Sequence, residues 1–192
     1  MRARLLGLLC AAALLPGLQG CVPVVAGAAV GTGVLIAEDR RSGGTVVDDQ
    51  GIELKILNRI ESSGLGDTAH VNVTSYNRVV LLTGEVPTAE AKARLAAMAQ
   101  EVGGVRLVLN EVAVGPASSF ADRSQDTYLT SKVKARFVEA QKFSPNHVKV
   151  VTEAGVVYLL GLVQRDEAAS ASALAAGTGG VRKVVEAFEY LD

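Results

Sequence analysis

Tryptophan is absent from this chain, and its 192 residues hold only four Phe and four Tyr. Basic and acidic residues nearly cancel, 19 against 20, for a formal net charge of −1. A nucleic-acid binder needs a basic surface to neutralise phosphates and rings on which bases stack. Neither is present on the required scale, so no nucleic-acid partner is expected. Cysteine is scarce too: Cys10 and Cys21 are the only two, too few for a cysteine-built zinc site. His70 and His147 are the only histidines. Neither has Cys, Asp or Glu at ligand spacing beside it, so no metal and no cofactor are expected. A G-x-S-x-G turn, which would expose a catalytic serine, is also missing. With no constellation for catalysis, the chain reads as a binding protein rather than an enzyme.

Long apolar runs are missing as well, and that shapes the reading of the N-terminus. Arg2 and Arg4 precede an apolar stretch from Leu5 to Leu15, the layout of a secretory signal and too short for a span of about 20 residues. Leu18-Gln19-Gly20-Cys21 resembles the bacterial lipobox, whose cysteine is acylated and becomes the mature N-terminus. With residues 1–20 removed, Cys21 is the one cysteine left, so an intramolecular disulfide is excluded and lipidation is the expected use of the thiol. Val22 follows it rather than Asp, which resembles the signal for outer-membrane sorting. Val22 to Ala37 is apolar but only 16 residues long and carries Pro23 and three glycines. It is read, within residues 21–46, as a tether near the bilayer surface.

The strongest signal in the remainder is a duplication. HVNVTSYNRVVLLTGEV (70–86) and HVKVVTEAGVVYLLGLV (147–163) superpose without a gap at an offset of 77. Upstream, Ile52, Ile56 and Ile60 fall on Leu129, Val133 and Phe137; downstream, Gly103-Gly104-Val105 matches Gly179-Gly180-Val181 after a one-residue slip. Each copy predicts a helix with apolar residues four apart, two strands with alternating valines, a second helix (87–102 and 166–176) and a closing strand (105–114 and 181–190). Gly84 and Gly161 interrupt the second strand, the mark of a bend or a close backbone approach. The order is α-β-β-α-β, with two helices on one face of a three-stranded sheet: an α+β fold in tandem. The modules are placed at residues 47–115 and 125–192, joined by a linker at 116–124.

The V-x-L-x-G-x-V strand, the helix after it and the GGV before the last strand resemble the BON domain. Two such modules behind a lipobox, with Asp39-Arg40-Arg41-Ser42 and Asp48-Asp49 between, are similar to the dual-BON outer-membrane lipoproteins associated with division and envelope stress. The resemblance implies a lipid-anchored protein at the outer membrane, facing the periplasm, that binds phospholipid without catalysis.

The residues themselves point to one surface. On the second leading helix, Tyr128 and Val138 lie about 140° from the Leu129/Val133/Phe137 stripe, facing away from the module's own core. Lys132 and Lys134 flank them. From Asp126 to Lys142 the charge sums to +2, against −1 for the equivalent Asp49 to Glu61, where Gly51 and Glu61 replace Tyr128 and Val138. An exposed tyrosine among lysines suits an anionic lipid surface such as phosphatidylglycerol or cardiolipin, each cation adding around 1 kcal/mol. Packing of Tyr128 against the first module or the linker, or a merely solvated face, would account for the same pattern. The rival function is a protein adaptor that uses sheets and outer helices to grip outer-membrane assembly or peptidoglycan-remodelling factors.

Overall fold

The computed structural model describes residues 39–191. Cys21 and the tether as far as residue 38 therefore lie outside the described residues, whereas residues 43–46, read from sequence as the end of the tether, open the first helix. Ser42 caps the first helix, α1 (Gly43–Ser62), its hydroxyl accepting from the Thr45 N–H at 3.0 Å. Ile52, Ile56 and Ile60 bury one face of α1, as the four-residue spacing requires. β1 (His70–Tyr76) and β2 (Val79–Val86) follow, then α2 (Ala89–Gln100), β3 (Leu107–Asn110) and β4 (Ala113–Val114). The second copy supplies α3 (Phe120–Ala140), β5 (Val148–Glu153), β6 (Val156–Val163), α4 (Arg165–Ala176) and β7 (Lys183–Tyr190).

Each module forms a sheet with its second strand in the middle. β1 pairs antiparallel with β2, which pairs parallel with β3 and β4; β5, β6 and β7 repeat the order. The closing strand of the first module, expected unbroken over 105–114, is split at Glu111-Val112. There Val112 is fully buried in the core against α1 and α2, and filling that space interrupts the strand. The hairpin turns are Asn77-Arg78 (φ 50° and 65°) and Ala154-Gly155 (φ 48° and 72°). Positive φ at both central residues is the turn whose twist matches a β-hairpin.

Side chains alternate across β2 and β6, and both faces are covered. Val80, Leu82 and Val86 join Ile52, Ile56 and Leu95 in the core of the first module; Val157, Leu159 and Val163 join Val133, Phe137 and Ala171 in the second. A third cluster unites the modules: Tyr76 and Leu81 meet Tyr158 and Leu160, with Leu109, Val151, Leu162 and Val185 around them. The sheets thus pack face to face with the helices outermost, giving layers α, β, β, α. Polar contacts rim the seam: Asn72 donates to Glu153 at 2.9 Å, Asn77 to Glu189 at 2.9 Å and Arg106 to Glu189 at 2.9 Å. Burial, with Glu111 and Glu153 nearby, pushes the Tyr158 phenol up to about 12. Leu35–Asp192 is one compact unit, and among the described residues its three cores draw on none before Ile52, so this unit holds cores of its own on which to fold.

The two strand glycines mark close backbone approaches. A Cβ on Gly84 (φ +105°) would stand 2.0 Å from the His70 carbonyl oxygen, and one on Gly161 2.4 Å from that of His147. Backbone cannot give way there as a side-chain tip could. Gly84→Ala is expected to destabilise the protein by at least about 2 kcal/mol, from the clash and the positive φ together. Urea midpoints of the two proteins check this; an unchanged midpoint contradicts it.

Candidate functional site

Both leading helices are locked to their hairpins by a buried aspartate. Asp49 accepts from the Asn77 N–H at 2.8 Å, the Arg78 N–H at 2.7 Å and the Ser75 hydroxyl at 2.6 Å. Asp126, its counterpart 77 residues on, accepts from the N–H groups of Ala154 and Gly155 at 2.7 and 2.8 Å. These carboxylates hold the positive-φ turns in place and fix the helices above them. Asp126 is therefore buried and does not belong to the exterior of its helix.

α3 is longer than the module boundary at 125 suggests. It starts at Phe120 with a capping box: the Ser119 hydroxyl accepts from the Asp122 N–H at 3.2 Å, and the Asp122 carboxylate accepts from the Ser119 N–H at 3.1 Å. Residues 120–124, read from sequence as linker, are thus its first turns. Phe120 is 79% exposed, Tyr128 60% and Val138 60%. Phe120 and Val138 are 18 residues apart, five full helical turns, so they share an azimuth at a separation of about 27 Å. Ser124, Thr127, Ser131 and Ala135 lie between them, all exposed. The strip contains no acidic residue.

The structure separates the flanking cations. Lys132 places its Nζ 5.6 Å from the centre of the Tyr128 ring and donates to the Gly179 carbonyl at 2.6 Å. It therefore stiffens the tyrosine as well as charging its surroundings. Arg136 donates to the Leu174 carbonyl at 3.0 Å and the Thr178 hydroxyl at 3.2 Å, neutralising the end of α4. Lys134 is exposed and makes no ion pair among the described residues. Tyr128, Lys132, Lys134 and Val138 thus sit on one helix exterior that the first module does not cover.

Beside this exterior, where α3 meets the seam, opens a groove of about 380 Å³. Asp39 and Arg41 line it from the segment before α1, Tyr76 from the first module, and Lys134, Val138, Pro145, Asn146, Val148 and Lys149 from the second. The Arg41 guanidinium lies 4.0 Å from the Tyr76 ring centre and pairs with Asp39 at 2.6 Å and Asp49 at 2.9 Å. Burial pulls the Asp39 carboxyl upward, but hydrogen bonds and attraction from Arg41 outweigh it and hold the group below its ordinary value. Next to it, Arg40 reaches across to the second module, bonding the Leu162 carbonyl at 3.0 Å and Glu167 at 2.5 and 3.0 Å.

Glu167 also accepts from the Gln164 N–H at 2.8 Å and lies 3.1 Å from His147 Nδ1. His147 is thus a partner of a carboxylate clamp, and His70 lies 3.3 Å from the Asn72 amide. Among the described residues no three His, Cys, Asp or Glu cluster as metal ligands would, and no helix is long and apolar enough to cross a membrane.

The BON domain family model matches residues 48–116 and 125–192. The outer membrane lipoprotein DolP of Haemophilus influenzae is 40% identical over 176 residues, 91% of this chain and 91% of that protein. The 21 kDa hemolysin of Actinobacillus pleuropneumoniae is 32% identical over 80% of this chain and 79% of its own length. Osmotically-inducible protein Y of Escherichia coli is 28% identical over 73% and 72%.

The clamp on Glu167 makes stability depend on pH. Desolvation acts to raise its pKa, while bonds from Arg40, the Gln164 N–H and His147 lower it to a net value below 4.5. A carboxylate depressed in the folded state contributes fully above its unfolded pKa and loses that contribution as pH falls through the folded value. Unfolding free energy is therefore expected to decline as pH falls below about 4.5, and Glu167→Gln to flatten that part of the slope. Urea titrations at several pH values measure both; identical slopes in the two proteins count against the clamp.

Proposed function

This chain belongs to the BON-domain family; from that premise we propose that it is an outer-membrane lipoprotein facing the periplasm and that its second module binds anionic phospholipid through the exterior of α3. Cys21 carries the acyl anchor in this reading. Tyr128 and Val138 enter the headgroup region, Phe120 extends the contact at the other end of the helix, and Lys132 and Lys134 meet lipid phosphates. The observation that carries the proposal is the acid-free strip from Phe120 to Val138, apolar at both ends and bordered by cations. An amphipathic tyrosine is favoured at headgroup level, and each basic residue near an anionic surface contributes about 1 kcal/mol. Binding of this kind supports envelope integrity by concentrating the protein where anionic lipid gathers, division sites among them. No catalytic step is involved.

A second reading rests on the first module. Val47 and Leu54 are 67% and 60% exposed on α1 and seven residues apart, hence on one face. That stripe has no cationic surplus and suits a protein partner, such as an assembly or cell-wall remodelling factor of the outer membrane.

Sedimentation with vesicles separates the two. The Leu35–Asp192 unit is expected to bind phosphatidylglycerol or cardiolipin vesicles and not phosphatidylcholine. Lys134→Gln should weaken binding roughly fivefold, and Tyr128→Glu should weaken it at least about tenfold by placing a charge where a ring would partition. Equal binding to neutral and anionic vesicles rejects the lipid reading. In cells, Leu54→Glu with intact vesicle binding but lost crosslinks to envelope proteins would establish the second.

A further inference from the structure

The groove between the modules has a chemistry that the α3 exterior does not share. Arg41, Lys134 and Lys149 come from three separate stretches of chain: the segment before α1, the middle of α3 and the start of β5. Among the described residues the one carboxylate lining the groove, Asp39, is already bonded by Arg41 through Nε and Nη2. Lys149 touches Glu53 at 3.2 Å and the Ser75 carbonyl at 3.5 Å, and its side chain remains 38% exposed. An ammonium has three protons to donate, so one is left to point into the groove. Lys134 has all of its own.

This arrangement is not inherited from the duplicated module. Positions 77 residues upstream of Lys134, Val138 and Lys149 hold Leu57, Glu61 and Asn72. The counterpart surface would carry no cation and one carboxylate. Basic groups from the segment before α1 and from two elements of the second module therefore meet in one place, beside the strip bearing Val138. A charged cleft with low-dielectric walls concentrates anions, and a phosphate presents several acceptor oxygens to donors arriving from different directions.

We propose that the groove between the two modules holds a single phosphate ester, with Lys134 and Lys149 donating to its oxygens, while the Arg41 guanidinium, held by Asp39 and Asp49, keeps those two carboxylates from repelling it. A phospholipid headgroup beneath the α3 exterior is one source of that ester and a soluble glycerol phosphate the other. The inference builds on the lipid reading for its biological source, but the groove can be tested without any membrane.

The test is an NMR titration of the ¹⁵N-labelled Leu35–Asp192 unit with glycerol phosphate, with sodium sulfate at matched ionic strength as control. Saturable shifts are expected at the amides of Lys134, Asn146 and Lys149. Lys149→Gln should weaken binding at least fivefold, whereas Arg94→Gln, a charge loss on the exposed side of α2, should leave it unchanged. Phosphatidylglycerol vesicles that displace glycerol phosphate identify the lipid as source; vesicles that sediment the protein without displacing it identify the soluble ester. Absence of saturable shifts, equal response to sulfate, or identical titration of Lys149→Gln overturns the proposal. If anionic vesicles bind while those results hold, the α3 assignment stands and only the groove is lost. If the groove binds while neutral and anionic vesicles behave alike, the reverse is true.

Discussion

Two small sheets that each bury both faces set the terms for everything else in this molecule. A three-stranded sheet with two helices on one side leaves an apolar face open to water, and a module of about 70 residues has little core with which to offset that exposure. Leu81 and Tyr76 on one copy, with Tyr158 and Leu160 on the other, close the gap by meeting each other. Duplication thus supplied each module with a lid for its own sheet. The seam also joins distant parts of the chain, so Arg40 can bind Glu167 and Lys149 can reach Glu53.

With the inner faces of the sheets committed to each other, the helices offer the broad outer surfaces among the described residues, with the groove beside α3 as an opening at the seam. Divergence between the copies is concentrated there. The core positions of α1 and α3 stay apolar, and the aspartates that clamp the hairpins stay identical. Their exteriors differ: Val47, Leu54 and Leu57 stand where the second copy has Ser124, Ser131 and Lys134. The first copy carries its exposed apolar groups in a neutral setting, the second carries them in a basic one.

Much of the fold was legible in the sequence because its information is local and stated twice. Four-residue apolar spacing gave α1 and α3, alternating valines gave β1 and β5, and Gly84 and Gly161 announced the backbone contacts that their missing Cβ atoms permit. The rest depends on contacts between distant residues. Polar surroundings disguised 120–124 as linker, so Phe120 was not seen as part of α3. Asp49 and Asp126 looked like surface charges, although their matching positions in the repeat were the available clue. Arg41 and Lys149 are far apart in sequence, and no periodicity brings them to one groove. The break at Val112 is likewise a packing effect, invisible in a run that reads as continuous strand.

The α, β, β, α layering has a directional consequence. Because the sheets are the inner layers, the outer surfaces of α1 and α3 look away from each other, one to each side of the molecule. Whatever surface α3 rests on, α1 cannot touch the same plane. The Leu35–Asp192 unit is thus two-sided, able to stand on one substrate while offering its back to another.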